Sequence, residues 1–468
     1  MAKTVASAVL GSFFHAPHYG SFELLERALL ELDAAGLIAR VTLPGDEAYE
    51  ERLRAAREAD ARGEAALVEI PEGSYALPGF VDLHIHAPQW PQAGVALDEP
   101  LNVWLDQRTF PLEARFADLG FARPVYSDLV RQLLARGTTT AVYFASAHLE
   151  SSVELARLAA EGGQRAVVGK VVMDDPAANH DFYRDASPER ALADTEEFLV
   201  RVEALAAERA AADARFAGVY GAVTPRFIPS CTDEALAGLG QIAAAHDAYV
   251  QSHCNESQWE HDFALERYGK TDAEALADFG LLRPHAVMAH CTFPTESDGE
   301  IFRETGSAVA HCPISNVYFA NSACPVRRLR EQGVMMGLGS DISGGFSPSL
   351  YDNIRMAVMA SRMLEEGVDA FVPQDRRGAG RPSRISVAEA FWIATAGGAE
   401  ALGLPVGTFE VGRALDMQVI DTRMPLADLT GFGVFDEPAD RLARILYLAT
   451  PENIREVWIQ GKRIVSRG

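Results

Sequence analysis

Two histidines one residue apart, His84 and His86, close the apolar run Pro78-Gly79-Phe80-Val81-Asp82-Leu83-His84-Ile85-His86. In a β-strand, side chains at i and i+2 point to one face. Both imidazoles therefore project together from the end of a strand that reads as buried. Paired imidazoles on a rigid spacing are a start for a divalent-metal site. Alone, the pair is equally readable as two unrelated loop histidines. Downstream groups weaken that reading, because each also follows an apolar run: His253 after Gln251-Ser252, His290 after Met288-Ala289 and Asp341 after Gly339-Ser340.

Imidazoles plus one carboxylate suit zinc, or iron under a different metal supply. Zinc lowers the pKa of water in an open coordination position to about 7, giving a nucleophile at neutral pH. Asp341 suits both metal binding and acceptance of the water proton. Glu256, three residues after His253, reads either as a loop carboxylate or as a proton shuttle to a heterocycle nitrogen. His290 either completes the metal shell or hydrogen-bonds the attacking water, and the second role is preferred. Asp82 shares the face of His84 and His86 by alternation, one layer deeper, as a supporting group rather than a ligand.

Eight apolar runs can position these groups: 80–84, 138–144, 166–173, 219–225, 248–253, 286–290, 308–312 and 335–339. Longer stretches with helical spacing separate them, such as 127–136 and 189–209. The alternation predicts an α/β fold, a (β/α)8 TIM-type barrel whose chemistry sits at the C-terminal strand ends. The polar residues obey that rule. The flanks are β-rich. Residues 5–14 read as a strand. Residues 22–34 have helix-like spacing, with a turn-rich β reading left open. Residues 47–64 read as a solvated helix, 416–420 as a strand, and 457–465 as a hairpin turning at Gly461. The expected division is a composite small β domain from 1–75 and 405–468, around a barrel at 76–404. His15 and His18 are expected at the surface, Lys170 in an interior ion pair, and 367–384 as an exposed excursion serving as a lid or subunit contact.

The net charge of −24 over 468 residues repels nucleic acid and anionic membranes. No run approaches the ~18 apolar residues of a membrane span. Five cysteines without a CxxC pattern argue against a disulfide framework and for a reducing, cytoplasmic setting.

The constellation resembles the amidohydrolase superfamily in its single-metal deaminase branch, and within it the guanine deaminase family. The matching stretches are Leu77-Pro78-Gly79-Phe80-Val81-Asp82-Leu83-His84-Ile85-His86-Ala87-Pro88-Gln89, Gly137-Thr138-Thr139-Thr140-Ala141, Gly169-Lys170-Val171, Thr224-Pro225-Arg226-Phe227, Gln251-Ser252-His253, Met288-Ala289-His290, His311-Cys312-Pro313 and Gly339-Ser340-Asp341-Ile342-Ser343-Gly344-Gly345. They span from about residue 75 to the C-terminus. The resemblance implies that His84, His86, His253 and Asp341 bind one zinc, and that Gln89, Arg226, Phe227 and Glu256 contact a purine. It implies hydrolysis of guanine to xanthine and ammonia, with Glu256 protonating the ring and Asp341 handing a proton to the departing amine, in a homodimer. An amide and a guanidinium can read guanine's polar edge, and Phe227 can line or stack on the ring. Arg226 also reads as a rim ion pair, and Phe227 as plain packing. Pro88, Cys254-Asn255 and Ser340 depart from the family pattern, leaving room for a pterin, triazine or oxidised purine as substrate, hydrolysed by an aminohydrolase or chlorohydrolase. A non-catalytic barrel scaffold is disfavoured, because such proteins lose metal ligands.

Overall fold

The computed structural model describes residues 4–467. Eight parallel strands close into a barrel: Phe80–His86, Thr138–Phe144, Arg165–Val172, Val219–Pro225, Tyr249–Cys254, Ala286–His290, Ala308–His311 and Met335–Leu338. The last pairs back onto the first through Leu338 and Asp82. Strands covered on both faces carry continuous apolar sequence, and every residue of Thr138–Phe144 and Arg165–Val172 is buried. Helices such as Leu119–Leu134, Pro188–Ala212 and Asp233–His246 connect them. Their starts are chemically marked. Asp118, Ser187 and Thr232 accept backbone N–H groups of the first helical turns that would otherwise lack partners.

A second sheet joins both ends of the chain. Its order is Lys462–Ser466, Ile454–Ile459, Met417–Asp421, Ser74–Pro78, Ala8–His15, Glu23–Leu32 and Ile38–Thr42, with Leu67–Glu69 paired in parallel to Ala8–His15. The C-terminal hairpin turns at Gly461, where φ is +68°. Residues Tyr49–Ala61 form the expected solvated helix.

One open reading is decided and one expectation changes. Glu23–Leu32 is a strand, although Glu-Leu-Leu-Glu-Arg-Ala-Leu-Leu-Glu-Leu contains strong helix formers. Pairing with Ala8–His15 buries Ala28, Leu29 and Leu30 and overrides that propensity, while the pairing register shifts near Arg27, whose φ is +49°. His15 is buried rather than superficial. Its Nδ1 accepts the backbone N–H of Phe409 at 3.2 Å, tying the two chain ends together. His18 is exposed as expected.

The small sheet is fastened to the barrel by a buried ion pair. Arg165, which opens the third barrel strand, pairs with Asp416 and also donates to Gln460 Oε1 at 2.8 Å. Asp416 in turn accepts the backbone N–H of Gln460 at 2.9 Å. Lys170 forms its expected interior pair, Nζ lying 2.6 Å from Asp185. The 367–384 excursion is closed at its base by Glu365, which accepts the backbone N–H groups of Ser383 and Arg384.

Candidate metal centre and active site

The first barrel strand extends to His86, so both histidines leave it on one face, as the period-2 argument requires. The donor atoms converge. His86 Nε2 and His253 Nε2 stand 3.0 Å apart. Asp341 Oδ1 lies 3.3 Å from His84 Nε2 and 3.5 Å from His86 Nε2. Tetrahedral zinc, with ligands at about 2.0–2.1 Å, separates its donors by about 3.3 Å. Burial, reinforced by neighbouring cationic groups, drives all three imidazoles well below their usual pKa, so they are neutral. His253 Nδ1–H donates to the Arg226 carbonyl at 2.5 Å, which leaves its Nε2 lone pair facing the cluster. His84 Nε2 is buried without a hydrogen-bond partner. Burial also raises the Asp341 carboxyl, against the favourable pull of His290. Three neutral imidazoles and one carboxyl group fit a divalent cation, which binds deprotonated donors.

The surrounding chain holds this geometry. Asp82 Oδ1 accepts the backbone N–H groups of His84 (3.2 Å) and Ser340 (2.9 Å), bracing the first barrel strand against the turn that carries Asp341. It occupies the deeper layer expected of it. Asp341 N–H donates to the His84 carbonyl at 2.8 Å. A Cβ on Gly339 would come within 2.8 Å of His84 Cβ, so only glycine permits this approach. His290 and Asp341 both have left-handed backbones, with φ of +75° and +49°. Such strain persists where surrounding structure enforces it. The Phe144 ring packs 4.8–5.0 Å from the His84, His86 and His253 rings, forming an apolar wall.

Glu256 lies beside this cluster, with Oε2 3.8 Å from His290 Nε2. Burial, with the Asp341 carboxylate nearby, pushes its carboxyl up to about 8. It therefore carries a proton at neutral pH. Its backbone N–H is held by Glu260 at 2.7 Å. His290 Nδ1–H donates to Asn316 Oδ1 at 2.9 Å, leaving Nε2 as a bare acceptor without a protein partner.

Gln89 and Arg226 meet on one carboxylate. Gln89 Nε2 donates to Glu113 Oε1 at 2.8 Å, and Arg226 Nη1 donates to Glu113 Oε2 at 2.7 Å. The ion-pair reading of Arg226 is thus observed, deep in the fold instead of at an exposed rim. Phe227 is half-buried, its ring 6.4 Å from His253 and 6.0 Å from the exposed Trp259. Glu113, Asn316 and Phe144 are absent from the sequence-based site. Phe144 ends a barrel strand, which was a usable signal. Asn316 closely follows the His311-Cys312-Pro313 motif, a second usable signal. Glu113 lies in the excursion between the first two barrel strands, where no periodicity marks it.

Residues 75–464 match the model of the Amidohydrolase family. The chain is 35% identical to mouse guanine deaminase over 462 residues, covering 97% of this chain and 96% of that one. It is 30% identical to Escherichia coli guanine deaminase over 404 residues, covering 84% of each. The crystal structure of a guanine deaminase from C. acetobutylicum with bound guanine superposes with a TM-score of 0.83 at 27% identity, covering 98% of this chain and all of that one. A triazine hydrolase shares the fold alone, at 19% identity and a TM-score of 0.77. The chain belongs to the amidohydrolase family.

Proposed function

We infer that this protein is a metal-dependent guanine deaminase, releasing ammonia and xanthine from guanine in purine catabolism. The observation that carries this is the meeting of a four-donor cluster with an amide–guanidinium pair: His253, a proposed ligand, is hydrogen-bonded to the backbone of Arg226, a proposed purine reader. Full-length similarity to guanine deaminases supports the substrate.

His84, His86, His253 and Asp341 are the proposed ligands, and their nitrogen and oxygen donors favour zinc, with iron as the alternative. A cation held there supplies a water nucleophile at neutral pH. The remaining steps belong to the chain. His290, with Nε2 bare, accepts a hydrogen bond from the attacking water and orients it. Glu256, protonated at neutral pH, delivers a proton to the ring nitrogen as the C2 centre becomes tetrahedral. Asp341 takes the water proton and passes it to the amino group, which leaves as ammonia while the proton of the added hydroxyl returns to Glu256 to form the C2 carbonyl. Gln89 and Arg226 hold the purine edge, Phe227 lines the ring, and Phe144 excludes water from behind the imidazoles.

The small β domain at 1–75 and 405–468 and the barrel at 76–404 are the proposed domains. Exposed Met359, Met363, Tyr447 and Leu448, on two helices that pack together, support a homodimer. Five free, buried thiols support a cytoplasmic setting, and the net charge disfavours nucleic-acid partners. Among the described residues no helix is long and apolar enough to cross a membrane.

The test is ammonia release from a panel of guanine, pterins, triazines and oxidised purines by zinc-loaded protein. Guanine is expected to give the highest kcat/KM. Turnover of a pterin or triazine with none of guanine would replace the substrate while leaving the metal centre intact.

A further inference from the structure

Glu113 carries no role in the steps above, yet it is 1% exposed and binds both proposed purine readers. Its surroundings are built. The segment that supplies it also supplies Phe110, whose ring centroid lies 5.1 Å from Arg226 Cζ. Gln92 Nε2 donates to Thr109 Oγ1 at 2.8 Å, clasping this segment to the one that bears Gln89. Ser343 Oγ, two residues past Asp341, donates to the Gln89 carbonyl at 2.8 Å. Both readers are therefore held from several sides.

The donor and acceptor inventory then decides polarity. A carboxylate beside a guanidinium accepts hydrogen bonds and donates none. The Gln89 amide must turn its NH2 toward Glu113. A flipped amide would set carbonyl against carboxylate. The free end of Gln89 is consequently Oε1, which is buried with no protein partner. Arg226 offers N–H donors only, and those not spent on Glu113 (2.7 and 3.4 Å) or on Met173 Sδ (3.7 Å) remain for a ligand. The pair thus presents one fixed acceptor together with fixed donors.

We propose that Glu113 is a positioning residue that sets substrate choice: by fixing the Gln89 amide and the Arg226 guanidinium, it makes the pocket accept a ring edge bearing a carbonyl beside an N–H and reject the reversed edge, an amino group beside a bare ring nitrogen. This rests on the guanine deaminase reading. A 6-oxopurine satisfies both readers. A 6-aminopurine sets donor against donor at Arg226 and acceptor against acceptor at Gln89, leaving buried polar groups unpaired, which is how sites discriminate most strongly.

The test is equilibrium binding of hypoxanthine and adenine to zinc-loaded protein, two neutral purines of similar size with no 2-amino group to lose. Guanine turnover is measured on the same sample. The wild type is expected to prefer hypoxanthine by about 100-fold or more. In E113Q the replacement amide can donate to Gln89 and let it flip, so the preference should fall below about 10-fold, mainly through weaker hypoxanthine binding. E113D keeps the negative charge beside Arg226, which safeguards folding, but is one methylene too short to bridge both readers. Its preference should fall in the same direction. A purely structural role would weaken both purines equally. A wild type without preference, or variants that keep the wild-type ratio, would overturn the inference while guanine turnover persists. A wild type inert toward guanine would instead remove the functional reading beneath it.

Discussion

His253 Nδ1 and the carbonyl oxygen of Arg226 are 2.5 Å apart, joining a proposed metal ligand on the fifth barrel strand to the residue that follows the fourth. One hydrogen bond therefore does two things. It fixes which imidazole nitrogen is free to bind a cation, and it seats the backbone of a side chain proposed to read substrate. In this barrel, the proposed metal centre and the proposed purine readers share a structural joint.

Glu256 is buried enough to keep its proton near pH 7, but it is not counted among the four donors. Glu256→Gln preserves shape and removes the transferable proton. We expect kcat for guanine to fall by about 10²–10⁴-fold with metal content unchanged. Steady-state kinetics with metal analysis of the same preparation checks this. Loss of metal together with activity would assign Glu256 to the shell instead.

Asp416 is the acidic half of the pair that fastens the small sheet to the start of the third barrel strand, at the opposite end of the barrel from the proposed metal donors. Asp416→Ala leaves the Arg165 charge buried without its counter-ion, a change that costs about 3–5 kcal/mol. The urea midpoint should drop clearly, while kcat per folded molecule stays near wild type. An unchanged midpoint would mean that the pair contributes nothing to joining the two sheets.

Glu154 gives a pH signature. Hydrogen bonds from Arg157, and then Arg123, pull its carboxyl from 4.5 to about 2 despite partial burial. A group depressed on folding stabilises the native state when ionised, so the gain is complete above about pH 4.5 and disappears as pH falls toward 2. Glu154→Gln should cost about 1 kcal/mol at pH 7, with the gap to wild type closing between pH 4.5 and 2. Thermal melts across that range decide it. A gap of constant size would show that packing, not charge, is lost.

Much of the fold is legible because the barrel strands are buried on both faces and stand out as apolar runs between helical stretches. The metal candidates are legible because each ends such a run. Glu23–Leu32 stays ambiguous between helix and strand because its composition favours a helix and only its partner strand makes it extended. His15 is misread because the group that buries it, Phe409, lies nearly 400 positions away in the chain. Glu113 is invisible for the same reason. It gains meaning only when the barrel brings Arg226, from a distant strand, against the excursion that follows the first. Local periodicity reports which residues face a core, but it does not report which polar groups the closed barrel brings together.

The most direct measurement is metal content per chain, taken on wild-type protein and on His86→Ala, both loaded with zinc and freed of excess by gel filtration. With His84, His86, His253 and Asp341 gathered on one cation, the wild type should hold about one zinc per chain, and the variant should lose most of it together with guanine turnover. A wild type that retains no metal yet deaminates guanine, or a variant that keeps its full zinc complement, would contradict the account.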